Sequence, residues 1–179
     1  MRKLLYAALV SAIGVFAAIA PAANADSPWT PVDNEPFAYP AAPAPGSKCS
    51  FDLGVSVVIN QQQSRKTPVG PPAPAGTTQT EYRGELVYTF TNQNTGAAVT
   101  MGVGGPYTEV DYPDGSGGQT GAGNQFWGLG PHSRANTGLP GALITTGKVA
   151  MQFDTNHVIT ELQAAKVTNL CTLLGGYSA

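Results

Sequence analysis

The sequence predicts an all-β protein: an antiparallel two-layer sandwich (immunoglobulin-like) or small barrel of about eight strands, closed by one disulfide. Three observations carry the prediction. Apolar and polar residues alternate at period two through several short runs, the spacing of half-buried strands. Clusters of Gly, Asn and Pro separate these runs closely enough for hairpins. Cys49 and Cys171, the only two cysteines, bracket nearly all of them.

Ahead of that domain stands an export signal with its three parts in order. Arg2 and Lys3 give a basic start, Leu4 to Ala20 an apolar stretch, and Ala23-Asn24-Ala25 the small residues a signal peptidase reads. Cleavage after Ala25 is expected, leaving 154 residues secreted to the extracellular side, enough for one domain. The alternative, a retained anchor, has an apolar stretch only 17 residues long, short of the roughly 20 that span a bilayer. No second long apolar run follows, so no stable membrane span is expected after cleavage.

Without Arg2 and Lys3, seven Lys and Arg face eleven Asp and Glu, a formal charge of −4. That balance argues against nucleic acid, whose phosphates reward clustered cations. Charged residues make up only 11% of the chain, so Gly, Thr, Asn and Gln must cover the surface. A cysteine pair in an exported chain reads as a structural bridge, because oxidised pairs persist outside reducing compartments.

Residues 26–48 are expected to form a Pro-rich arm outside the core of the 49–179 domain. Prolines at 28, 31, 36, 40, 43 and 45 remove backbone donors and favour extended geometry. Trp29, Phe37 and Tyr39 interrupt the spacer pattern and are expected to lie back on the domain, the alternative being a docking arm. From Cys49, Phe51, Leu53, Val55, Val57 and Ile59 alternate on one face of a long strand. Residues 61–80 are expected to be a loop, since the prolines at 68, 71, 72 and 74 suit no central strand. Leu86, Tyr88 and Phe90 share one face of the next strand, which turns at Asn92 to Gly96 and returns over Ala97 to Val103. Tyr107 to Tyr112 leads into a Pro113-Asp114-Gly115 turn, and the chain runs on through Gln119 to Leu129. His132 to Gly141 is expected to be an irregular loop. Val149, Met151 and Phe153 alternate before an Asp154-Thr155-Asn156 turn, and a last strand begins near His157. Only Thr160 to Ala165 offers a helical alternative, and it is too short and Thr-flanked. Cys49 is expected to start the first strand and Cys171 to end the last, so the bridge requires those strands to meet or nearly meet, since bridged Cα atoms lie within about 7 Å.

These pieces bear a resemblance. Cys49-Ser50-Phe51, Thr91 to Thr100, Gly105-Pro106-Tyr107, Pro113-Asp114-Gly115, Phe153-Asp154 and Asn169 to Leu174 together resemble small secreted single-domain β proteins of high-GC Gram-positive (actinobacterial) bacteria. The resemblance covers residues 49–174 and departs at the Pro-rich stretch 67–76 and in the long Gly-rich region. It implies a fold and an extracellular address, and carries over no catalytic residues.

Chemistry is sparse. Asp114-Gly115-Ser116-Gly117-Gly118 resembles a serine-protease nucleophile motif with its first two residues exchanged, but His132 and His157 both follow the serine. A Gly-rich turn is the simpler reading. Two histidines 25 residues apart and two bridged cysteines give no zinc cluster, and Asp111 with Asp114 only loosely suggests calcium. Glu81, Glu85 and Glu109 could pair as glycosidase carboxylates, though they read more simply as solvated strand residues. No metal, cofactor or catalytic residue is therefore expected.

Recognition remains. Tyr107, Tyr112, Phe126 and Trp127 lie in or beside Gly-rich loops next to the amides of Asn124 and Gln125, and such aromatics stack on sugars or anchor a protein. The competing reading puts Phe126 and Trp127 in the core, although adjacent strand residues cannot both face inward. The sequence thus points to a non-enzymatic binding protein for an extracellular or cell-wall ligand. The alternatives are a secreted hydrolase and a secreted protein inhibitor or toxin. Oligomeric state is not legible.

Overall fold

The structure, a computed structural model, describes residues 27–44 and 46–177. The signal segment and its cleavage after Ala25 fall outside the described residues. The chain lays down β1 (Thr30–Pro31), β2 (Phe37–Tyr39), β3 (Leu53–Asn60), β4 (Gln63–Pro68), β5 (Thr78–Arg83), β6 (Leu86–Asn92) and β7 (Ala98–Gly102). There follow β8 (Tyr107–Asp111), β9 (Gly117–Gly121), β10 (Gln125–Gly128), α1 (Pro131–Thr137), β11 (Ala142–Phe153), β12 (Ile159–Asn169) and α2 (Leu170–Leu173). All pairings are antiparallel, in a four-stranded sheet β2-β3-β6-β7 and an eight-stranded sheet. The fold is an all-β sandwich, with twelve strands among the described residues where about eight are expected from turn spacing.

Period two explains the smaller sheet. Along β6, Leu86, Tyr88, Phe90 and Asn92 are buried while Val87, Thr89 and Thr91 are half-exposed. Leu53 and Val55 of β3 join them, and Ala142 and Ile144 of β11 close the cluster from the opposite layer. Phe90 is fully buried and meets Phe126 at 4.9 Å between ring centroids. Burial of each such side chain stabilises by about 1.5–3 kcal/mol.

The larger sheet is organised around β11. Its neighbour β12 follows one edge almost throughout, so β9 and β10 share the other, end to end. At their junction Gly123 and Gly147 exchange backbone hydrogen bonds of 3.0 and 3.1 Å. Gly147 has φ +88° and sits at a register shift in the β11–β12 ladder, a bulge that bends the strand where its two partners change over.

Several expectations need correction. The Pro-rich segment expected to lie outside the core supplies a strand to each sheet: β1 pairs β4, and β2 pairs β3. Its aromatics do pack back on the domain, Phe37 against Tyr88 and Phe126, and Trp29 under the Arg83 guanidinium at 3.9 Å. The expected loop 61–80 is the β4–β5 hairpin, whose strands carry polar side chains on both faces and so show no apolar alternation. The expected loop at 132–141 contains α1, entered by Pro131 at its first turn and closed by Gly138 at φ +68°, whose N–H reaches Arg134 O at 2.8 Å. Residues 160–165 are strand.

Cys49 and Cys171 are bridged, with Cα atoms 5.3 Å apart. Cys49 precedes β3, and Cys171 lies in α2 beyond the end of β12, where the Asn169 side chain accepts from Cys171 N and caps the helix. Because β3 and β12 belong to different sheets, the bridge ties the two layers together instead of joining neighbouring strands.

Candidate functional site

The protease-like motif lies in the turn of the β8–β9 hairpin, where Asp114 and Ser116 bond to each other. Ser116 Oγ donates to Asp114 Oδ1 at 2.7 Å and Ser116 N to the same oxygen at 2.9 Å, an Asx turn that holds Asp114 below its ordinary value. Asp111 faces Lys66 at 3.7 Å. Glu81 is held by Arg65 at 2.6 Å. Among the described residues no group of three or more His, Cys, Asp or Glu could hold a metal.

Of the five residues singled out for ligand binding, three come together. Tyr107, Phe126 and Trp127 line one cavity of about 200 Å³ between the sheets, joined by Phe37 of β2 and Tyr88 of β6. Tyr112, 40% exposed in the β8–β9 turn, and half-buried Asn124 lie outside this lining. Phe126 packs against Phe37, Tyr39 and Phe90, whereas Trp127 donates its indole N–H to Thr145 Oγ1 at 3.0 Å. Neither is a freely exposed platform.

Four amides complete the wall: Asn34, Gln62, Gln119 and Gln125. Tyr88 Oη donates to Asn34 Oδ1 at 3.2 Å, and Asn34 Nδ2 donates to Gln62 Oε1 at 3.3 Å. Gln119 Nε2 donates to Gln125 Oε1 at 3.0 Å. Gln125 is 4% exposed, and its Nε2 is buried without a protein partner. Gly121 makes room for this arrangement, because a Cβ there would stand 2.6 Å from Tyr107 Cβ and 2.7 Å from Gln125 Nε2. Tyr107 stacks on Tyr82 with centroids 4.1 Å apart. Burial, then Tyr82 and Glu109, push its phenol far above the ordinary range, so the hydroxyl stays a neutral donor. Beside it Glu109 is raised from its ordinary value, first by burial and then by the charge of Asp111.

Sequence reasoning missed Asn34, Gln62 and Gln119, since an amide in a polar run reads as surface. It noted Gln125 only as a neighbour of the aromatics, yet a glutamine two residues before Trp127, on the same strand face, is the signal that could have promoted it over Asn124. One other feature stands near the site. Lys48, 7% exposed, donates to Leu129 O at 2.9 Å and lies over the Tyr39 ring at 5.2 Å; burial and then Arg134 lower its pKa. No helix among the described residues is long and apolar enough to cross a membrane. Compared with protein-family models, curated proteins and solved structures, the chain matches none.

Proposed function

We propose that the protein is an exported, non-enzymatic binding protein that holds a component of the cell envelope or of the extracellular medium in the cavity between its sheets. The observation that supports this most is the lining itself: aromatic faces and amides, with one buried amide nitrogen left over, converge on a single concave space. The disulfide suits an oxidising location, and the signal-like N-terminus supports secretion. The test is to incubate the mature protein with purified cell wall and with culture supernatant and to identify what each retains. Retention at micromolar protein, lost in Gly121→Ala, is expected; no retention from either source overturns the reading.

One observation favours a second reading, a secreted inhibitor. The turn between β4 and β5 exposes Pro71, Pro72 and Pro74, and it is braced from within by Val69 N to Thr77 O at 2.9 Å and Thr77 Oγ1 to Pro74 O at 2.7 Å. A projecting, internally tied loop is what a protein target could grip. Capture of a supernatant protein that is lost when residues 70–75 are replaced by Gly and Ser, and kept in Gly121→Ala, would favour the inhibitor.

A further inference from the structure

We propose that the cavity takes a neutral, hydroxylated ring about the size of one sugar residue, with a hydroxyl set against the buried amide of Gln125. The inference rests on the binding reading above and narrows its ligand.

Gln125 is the anchor. It lines the cavity; its Oε1 is occupied by Gln119 Nε2, and its buried Nε2 has no partner in the protein. Exchanging the assigned oxygen and nitrogen of both amides keeps their mutual bond and leaves Oε1 in the same unpartnered place. The buried end therefore lacks a bond of one polarity or the other, and a hydroxyl supplies either, being both donor and acceptor. An apolar guest would leave that amide unsatisfied, which is costly in a buried site.

Charge and size narrow the choice further. No Asp, Glu, Lys, Arg or His lines the cavity, so an ionised ligand would lose its hydration with no countercharge to replace it. The volume of about 200 Å³ lies below the roughly 300–1,000 Å³ of sites for drug-sized ligands. It equals the liquid volume of six or seven waters at roughly 30 Å³ each. One ring fills it. The five aromatic side chains suit the C–H faces of such a ring, while Gln125, Gln62 and Tyr107 suit its hydroxyl rim.

The test uses the mature protein labelled with nitrogen-15 and follows the Gln125 side-chain NH₂ and the Trp127 indole N–H. The probes are glucose, galactose and N-acetylglucosamine, with glucuronic acid and glucosamine as charged counterparts and indole as an apolar one. Saturable shifts of both signals are expected with at least one neutral sugar, with binding of the charged sugars and of indole at least about tenfold weaker. Gln125→Met should weaken the neutral sugar about tenfold, and Gly121→Ala should abolish binding. If Gln125→Met fails to fold, the wild-type Gln125 signal alone decides. Equal binding of indole or of a charged sugar overturns the proposal, as does a Gln125 signal that no neutral sugar moves. If wall retention persists in that last case, the ligand class is wrong and the binding reading stands; if retention is also absent, both fall.

Discussion

Asn92 closes β6 at 2% exposure and spends its amide in two directions. Nδ2 donates to Leu174 O at 3.0 Å, while Oδ1 accepts from Asn94 N at 3.0 Å and Thr95 N at 3.3 Å. Asn92→Ala therefore frees the β6–β7 turn and strands a buried carbonyl. A loss of about 1–3 kcal/mol is expected in urea unfolding, and an unchanged midpoint would refute the assignment. Glu109 gives a prediction of opposite sign. Its folded pKa lies above the ordinary 4.5, so the folded state holds the proton more tightly than the unfolded chain. The associated stability is full below that ordinary value and is lost as pH rises through the folded one. Glu109→Gln keeps the neutral form at every pH. It should melt higher than the wild type at pH 7 and no higher well below pH 4.5; melting curves that stay parallel across this range count against it. At this scale the candidate site was half legible in the sequence. Aromatics beside glycines announce themselves by rarity, which singled out Tyr107, Phe126 and Trp127. Asn34, Gln62 and Gln119 are buried only because distant strands fold over them, and no local pattern records that.

Elements differ in how openly they are written. The β6–β7 hairpin was legible because alternation and an Asn-Thr-Gly turn agree there, and the β8–β9 hairpin from its Pro-Asp-Gly turn alone. The hairpin of β4 and β5 was not, because Gln63 to Thr67 are all polar and its ladder is held by the backbone and by pairs such as Arg65 with Glu81. Helix α1 had punctuation but no apolar stripe: Pro131 opens it and Gly138 ends it, seven residues being too short for periodicity to show. Strands β1 and β2 were hidden by proline, which is tolerated because both lie at sheet edges. Their role is testable by deletion. A chain lacking residues 27–40 loses Phe37 from its contacts with Tyr88 and Phe126. It should melt lower and bind a hydrophobic dye, whereas a detachable arm would leave the melting temperature unchanged.

For the molecule as a whole, the covalent ring matters most. The Cys49–Cys171 bridge closes 122 residues of sequence separation across the two layers. By the chain-entropy model such a bridge contributes up to about 5 kcal/mol, comparable to the lower end of the net stability of a domain. Reduction should therefore shift urea unfolding strongly towards lower denaturant, and an unchanged midpoint would show that the packed sheets suffice. Strands β3 to β12 all lie inside the ring; β1 and β2 lie outside it. Seen as a mechanical device, this placement is a force bypass. Once β1 and β2 are peeled from β4 and β3, a load applied along the chain from outside the two cysteines runs through one sulfur–sulfur bond and bypasses the ten enclosed strands. Pulled at both ends in a single-molecule experiment, the oxidised protein should yield only the slack of its N-terminal segment. With reductant present, a further extension of about 400 Å should appear, the stretched length of the enclosed chain. A protein tethered to something that drags on it would give up Asn34 and Phe37 from its cavity wall first, while the wall residues inside the ring kept their places.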